Sequence, residues 1–295
     1  MGTASPPVAA PLYDAATALP ALTAAWDELL ADDRQDGVLG EATRRFEANA
    51  GDRLAELADQ LRSESYRPAA LTEVVLVADG GRRTLQVPAV RDRVLEKALA
   101  AVIAPFIDPV LGPSSFAYRP GLGVADAVQA VARLRDEGLG WVARTDVDDC
   151  FPSMQVGRIR RILGALLDDD AILDLIDALL ARNVTRPGGW RRLAGLAQGS
   201  PLSPMLANLA LAHLDDRVRQ EGFPIVRYSD DLVICTASKP EAWEALRSVA
   251  AAWEEIGMSS GADKTEVMSF DDGLAFSRCG LRAEVSGGAG RAPGG

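Results

Sequence analysis

Two adjacent carboxylates, Asp230 and Asp231, interrupt an otherwise apolar run, Ile225-Val226-Arg227-Tyr228-Ser229-Asp230-Asp231-Leu232-Val233-Ile234. Such a tandem is more often a solvated turn or helix cap. Here the apolar flanks predict two buried strands, which puts the acids at the tip of a tight β-hairpin held rigidly on a sheet. A third carboxylate, Asp146, ends a second strand-like run, Trp141-Val142-Ala143-Arg144-Thr145. Three acids on neighbouring strand ends repel one another strongly unless cations neutralise them. Two magnesium ions, with manganese as a substitute, are the economical solution. Hard divalent cations take oxygen ligands, and a metal pair clamps both the attacking and the leaving oxygen of a phosphoryl transfer. The expected metal ligands are Asp146, Asp230, Asp231 and the backbone carbonyl of Val147, and the expected catalytic residues are the three aspartates. Asp231 is as much an orienting acid as a ligand. The chemistry implied is nucleotidyl transfer.

The elements that must position these acids are legible in outline. Strand patterns at 73–77 and 84–87 flank Asp79-Gly80-Gly81 and predict a hairpin. It carries Arg82 and Arg83, and two guanidiniums on a hairpin fit a finger that folds over a triphosphate. Helical periodicity is expected over 22–30, 41–61, 91–107, 124–137, 156–167, 171–181 and 241–256. Pro201 and Pro204 bracket the start of a further helix running through Leu211. Arg91, Arg93 and Lys97 lie on the face of a helix opposite Val94, Leu95, Leu99 and Val102, a face able to meet a phosphate backbone. The Pro- and Ala-rich start, to about Pro20, reads as a loose leader.

The chain has 295 residues, 48% of them hydrophobic, enough for two subdomains around a shared core. Its three cysteines, Cys150, Cys235 and Cys279, have no metal-ligand spacing, and their odd number argues against a disulfide framework. The start lacks a secretory pattern and no stretch approaches a membrane span, so a cytoplasmic protein without membrane contact is expected. Net charge −11 and a pI near 4.7 fit nucleic-acid binding poorly. The charge is uneven, however. Residues 1–80 carry 14 acidic and 6 basic side chains, whereas residues 81–295 carry 28 and 25. Arginine clusters at 82/83/91/93, 158/160/161 and 182/186/191/192 can line a groove and give weak, salt-sensitive binding.

From about Tyr66 to Phe276 the chain resembles the reverse transcriptases. Tyr228-Ser229-Asp230-Asp231 is similar to the family's Tyr-X-Asp-Asp box, and Asp146 with Phe151 is similar to its first metal-binding box. Gln198-Gly199-Ser200-Pro201-Leu202-Ser203-Pro204 resembles the nucleotide-pocket box of the group II intron-like branch. Further matches in family order are Gly80-Gly81-Arg82-Arg83 through Arg93, Ser115-Phe116-Ala117-Tyr118-Arg119-Pro120-Gly121, and Asp263-Lys264-Thr265. The resemblance implies an α+β fold of right-hand polymerase fingers and palm, with a small antiparallel palm sheet backed by helices. Fingers would span about 36–122 and 155–195, and the palm the remainder to about 270. It implies a steric gate at Phe151 against a ribose 2′-hydroxyl, nucleotide and template contacts at Gln198, triphosphate contacts at Arg82 and Arg83, and stabilisation of the leaving pyrophosphate by Lys264. Asp148 and Asp149 would be surface or outer acids.

After Phe276 the chain departs from the family pattern of primer-grip strands and helical thumb, giving Ser277-Arg278-Cys279-Gly280 and a Gly/Ala/Pro-rich tail. The expected division is a leader and helix at 1–35, fingers and palm at 36–276, and a disordered tail at 277–295 with no complete thumb. The box details are most similar to CRISPR-associated reverse transcriptases, which are linked to a spacer integrase. The resemblance therefore implies an RNA-directed DNA polymerase using an RNA template, a DNA or RNA primer and deoxynucleoside triphosphates, in spacer acquisition from RNA. One alternative is a weak or truncated RNA-binding adaptor subunit that needs a partner. Another, an RNA-directed RNA polymerase, is disfavoured by the bulk of Phe151.

Overall fold

The computed structural model describes residues 11–35, 37, 39–78, 81–259 and 265–272. In chain order the first half contains helices α1 (Leu12–Thr17), α2 (Leu19–Gln35), α3 (Glu41–Glu47) and α4 (Ala50–Arg62), strands β1 (Leu71–Ala78) and β2 (Gly81–Val87), and helices α5 (Val90–Ile107) and α6 (Val124–Asp136). Then come β3 (Trp141–Thr145), α7 (Cys150–Ser153), α8 (Val156–Leu166), α9 (Asp170–Leu180), β4 (Asn183–Arg186) and β5 (Gly189–Arg192). The last are α10 (Ser203–Gln220), β6 (Ile225–Tyr228), β7 (Asp231–Thr236), α11 (Lys239–Glu255) and β8 (Glu266–Ser269). The mixture of helices with two small sheets is the α+β class expected from the sequence.

The chain divides into two compact units. The first comprises residues 1–107 and 156–206. Its helices bury Leu22, Trp26, Leu29, Leu57, Leu95, Leu99 and Ile103 in a common core, with the Trp26 and Phe46 rings 4.8 Å apart. Its sheet has the order β2-β1-β4-β5, with β1 antiparallel to β2 and parallel to β4. Two local expectations are corrected here. The N-terminal stretch is not loose from Pro11 onward, because α1 buries Ala16 and Thr17, and the Tyr13 hydroxyl donates to the Leu61 carbonyl at 2.9 Å. The single helix expected over 41–61 is two helices that break at Ala48-Asn49, where Asn49 leaves the helical backbone at φ −139° and ψ 37°. The β4–β5 hairpin, turning through Pro187-Gly188, was not foreseen.

The second unit comprises residues 108–155 and 207–295. Its sheet, in the order β6-β7-β3-β8, is antiparallel throughout. Helix α6 packs against β6 and β7, and α11 packs against β3, β7 and β8. Because helices cover the sheet, β7 is buried at all six positions and reads as a continuous apolar run rather than an alternating one. Val131 of α6 joins Val142, Val226, Val233, Cys235 and Phe270 in one cluster. No helix among the described residues is long and apolar enough to cross a membrane.

Candidate active site

The acidic hairpin is a two-residue turn. Tyr228 pairs with Asp231, leaving Ser229 and Asp230 at the tip, and Ser229 takes φ 62°. Two-residue hairpins need this left-handed backbone to match the twist of their strands. On the adjacent strand Thr145 pairs with Leu232, so Asp146, the next residue, reaches the same end of the sheet as the turn. Burial, followed by the negative charges of Asp146 and Asp231, raises the Asp230 carboxyl above its ordinary value.

Asp231 has a different environment. Arg144 of β3 donates to both of its oxygens, Nε at 3.0 Å and Nη2 at 2.6 Å. This bidentate hydrogen bond raises the Arg144 guanidinium further above its already high value. The oxygen donors fit a hard divalent cation through Asp146 and Asp230, with the Val147 carbonyl adjacent in sequence. Magnesium is commonly held by one or two carboxylates, with waters and substrate phosphates completing its shell. Among the described residues no group of three or more His, Cys, Asp or Glu side chains is gathered as a self-sufficient metal cage. Cys150 is no competitor as a ligand: burial and then the Asp230 charge push its thiol up to about 12.

Phe151 lies in α7, half-buried, behind Asp149, whose φ is 45°. Asp148 and Asp149 are exposed, and the Asp148 amide donates to the Ser259 carbonyl at 3.2 Å. These placements belong to the second unit, together with Asp146, Val147, Asp230 and Asp231. The strand register brings Asp146 to the same sheet end as Asp230 and Asp231.

The first unit holds the other candidates. Arg82 and Arg83 are exposed on β2, opposite Val77 and Leu76. Gln86, further along β2, clamps the segment containing Gln198. Its amide donates to the Gln198 carbonyl at 2.7 Å, and its side-chain oxygen accepts from the Gln198 amide at 3.0 Å. Gly199 follows at φ 114°, where an added Cβ would stand 3.4 Å from the Gln86 carbonyl oxygen. Ser200 donates to Glu96, which is fully buried and paired with Arg182. Lys264 and the 277–295 tail lie outside the described residues.

Several cations expected on a nucleic-acid face are engaged within the protein. Arg93 binds Asp33 at 2.6 Å, Lys97 binds Asp32 at 2.7 Å, and Arg182 is buried against Glu96. The acids of α2 are therefore partners of α5, which lowers the supply of free positive charge on that helix. Sequence reading passed over Arg144, Arg227, Asp215 and Gln86. A signal for both arginines was available: a guanidinium inside an apolar strand must find a partner when buried.

The profile described as "Reverse transcriptase (RNA-dependent DNA polymerase)" matches residues 77–284. The chain is 28% identical over 262 residues to the retron Mx65 reverse transcriptase of Myxococcus xanthus, covering 81% of this chain and 59% of that protein. It is 22% identical over 187 residues to the group II intron-encoded protein LtrA of Lactococcus lactis, covering 62% and 31%. In three dimensions it is similar to a chain of a partial Cas6-RT-Cas1–Cas2 complex, with TM-score 0.51 and 26% identity over 84% of this chain and 42% of that one. The chain thus spans between about a third and three fifths of the length of these relatives. Polymerases of this family generally use divalent metals. From the match over most of its length, and from the palm-like sheet that carries Asp146 and the Asp230-Asp231 turn, the chain belongs to the reverse transcriptase (RNA-dependent DNA polymerase) family, in its group II intron-like branch.

Proposed function

We propose that this protein is a magnesium-dependent RNA-directed DNA polymerase that extends a primer 3′-hydroxyl, DNA or RNA, on an RNA template with deoxynucleoside triphosphates. The observation that carries the reading is the placement of Asp230 and Asp146 at one end of a sheet, where burial first and then the Asp146 charge make Asp230 costly to ionise unless a cation arrives. Two magnesium ions, or manganese in their place, when bound would assist the 3′-hydroxyl attack on the α-phosphate and offset the charge that leaves with pyrophosphate. Asp146, Asp230 and the Val147 carbonyl would hold them. Asp231, held by Arg144, would orient the turn.

The remaining roles follow from placement and family likeness. The Phe151 ring would exclude a 2′-hydroxyl, Gln198 would contact the nucleotide and template strand, Arg82 and Arg83 would bind the triphosphate, and Lys264 would stabilise pyrophosphate. The first unit reads as fingers with an N-terminal helical extension, and the second as palm. Likeness to a chain of the Cas6-RT-Cas1–Cas2 complex supports a role in spacer acquisition from RNA beside an integrase partner, which would take place in the cytoplasm.

The test is extension of an annealed DNA primer on RNA with deoxynucleotides and magnesium, comparing the chain with Asp230→Ala. Extension that depends on Asp230 is expected. Equal extension by both proteins sinks the metal assignment. Binding of primer-template without extension by either favours the adaptor reading, in which a partner supplies what polymerisation lacks.

A further inference from the structure

Arg227 occupies the middle of β6, two residues before the tip of the acidic turn, and its side chain is 1% exposed. A buried guanidinium is costly unless every donor finds an acceptor. Here Nε and Nη2 donate to the Asp215 carboxylate at 2.9 and 2.7 Å. Nη1 donates to the Asn208 side-chain oxygen at 2.7 Å and to the Ser229 carbonyl at 2.9 Å. Asp215 and Asn208 both lie on α10 and are themselves buried. Asn208 in turn donates to the Ala117 carbonyl at 2.6 Å. The backbone of Arg227 completes the junction, since its amide donates to Ser114 and its carbonyl accepts from Phe116.

We propose that Arg227, locked by Asp215 and Asn208, is the positioning residue of the acidic turn: it grips the Ser229 carbonyl and so fixes the direction in which Asp230 leaves the sheet. The inference rests on the reading of Asp230 as a metal-binding acid. Ser229 has a left-handed backbone that a non-glycine residue keeps only when its surroundings over-determine it. Its carbonyl is the atom through which a rigid helix can enforce that conformation. The Ser229 carbonyl belongs to the turn itself, so this bond ties the turn to the partners of Arg227 on α10. Lysine at 227 keeps the charge but lacks the planar fork that binds Asp215, Asn208 and Ser229 together. Groups that orient metal ligands from behind typically change metal affinity by about 10- to 100-fold when removed.

The experiment is manganese binding to the full chain, read from loss of the free-ion electron paramagnetic resonance signal, for wild type, Asp230→Ala, Arg227→Lys and Asp215→Asn. Circular dichroism and thermal melts check each fold, and magnesium titrations of primer extension run in parallel. Wild type should bind manganese in an Asp230-dependent way. Arg227→Lys, still cooperatively folded, should bind about 10-fold more weakly, with a parallel rise in the magnesium half-saturation of extension and an unchanged KM for primer-template. Asp215→Asn should shift binding in the same direction, and it decides the matter if Arg227→Lys does not fold. Folded variants that bind manganese as wild type does overturn the proposal. Equal binding by wild type and Asp230→Ala overturns the metal reading and this inference with it. Asp230-dependent binding that weakens in the variants, without extension by any protein, upholds the positioning role while the polymerase reading fails.

Discussion

Arg144 donates to both carboxylate oxygens of Asp231 from the neighbouring strand, with the pair largely buried at 15% and 6% side-chain exposure. A permanent guanidinium therefore neutralises the second acid of the turn, while Asp230 is buried beside the like charge of Asp146. The two adjacent aspartates have distinct electrostatic settings despite identical chemistry.

Arg144→Gln should strand a buried charge on Asp231 and destabilise the protein by about 3 kcal/mol. Adding Asp231→Asn should recover part of that loss, because the stranded charge is gone. Urea denaturation of the two single variants and the double variant gives the coupling directly. Strictly additive effects would show that the pair contributes no interaction of its own.

Asp230→Asn should stabilise the metal-free protein by about 1 kcal/mol at neutral pH while lowering extension by about 10³-fold or more. The sign follows from the raised Asp230 carboxyl. The folded state holds the proton more tightly than the unfolded chain, so wild-type stability falls as pH rises from the ordinary carboxylate value through the raised one. Above that window the full penalty stands. The advantage of Asn should accordingly vanish as pH drops to the ordinary carboxylate range. Thermal melts across pH without divalent cations check it, and a gain that grows on acidification would contradict the argument.

Replacing Phe151 with Ala should relax discrimination against ribonucleotides by roughly 10-fold or more in the ratio of kcat/KM values. Single-nucleotide incorporation with matched deoxy and ribo substrates measures it. An unchanged ratio would return Phe151 to a packing role, which its half-buried position in α7 also permits.

Gln86→Ala should raise the KM for deoxynucleotide about 3- to 10-fold with a smaller change in kcat, because it frees the Gln198 amide from its side-chain acceptor. Gly199→Ala should be worse for stability, by about 1 kcal/mol or more, since φ 114° disfavours any side chain and the new Cβ meets the Gln86 carbonyl at 3.4 Å. Steady-state kinetics and melts separate the two effects. A Gln86→Ala enzyme with wild-type nucleotide KM would detach this clamp from substrate binding.

The local pattern determined a great deal. Apolar runs around Asp146 and Asp230-Asp231 specified buried strands ending in acids, and the sheet has both, with β7 starting at Asp231. Periodicity located α5, α6, α8, α9 and α11, because an amphipathic face must repeat at the helical period to be buried. The break at Ala48-Asn49, the helix at Leu12–Thr17 and the β4–β5 hairpin escaped it. These elements are short, so their pattern carries little signal, and tertiary packing holds them.

Only the tertiary structure decided which charges remain for function. Composition offered clusters of arginines, but whether a guanidinium meets solvent or an acid depends on partners far along the chain: Arg93 with Asp33, Arg182 with Glu96, Arg144 with Asp231, Arg227 with Asp215. Sequence alone determined the kinds of chemistry available, because side-chain type and strand periodicity are local properties. The fold assigned the roles, because burial and charge pairing are set by residues that meet only once the chain is folded.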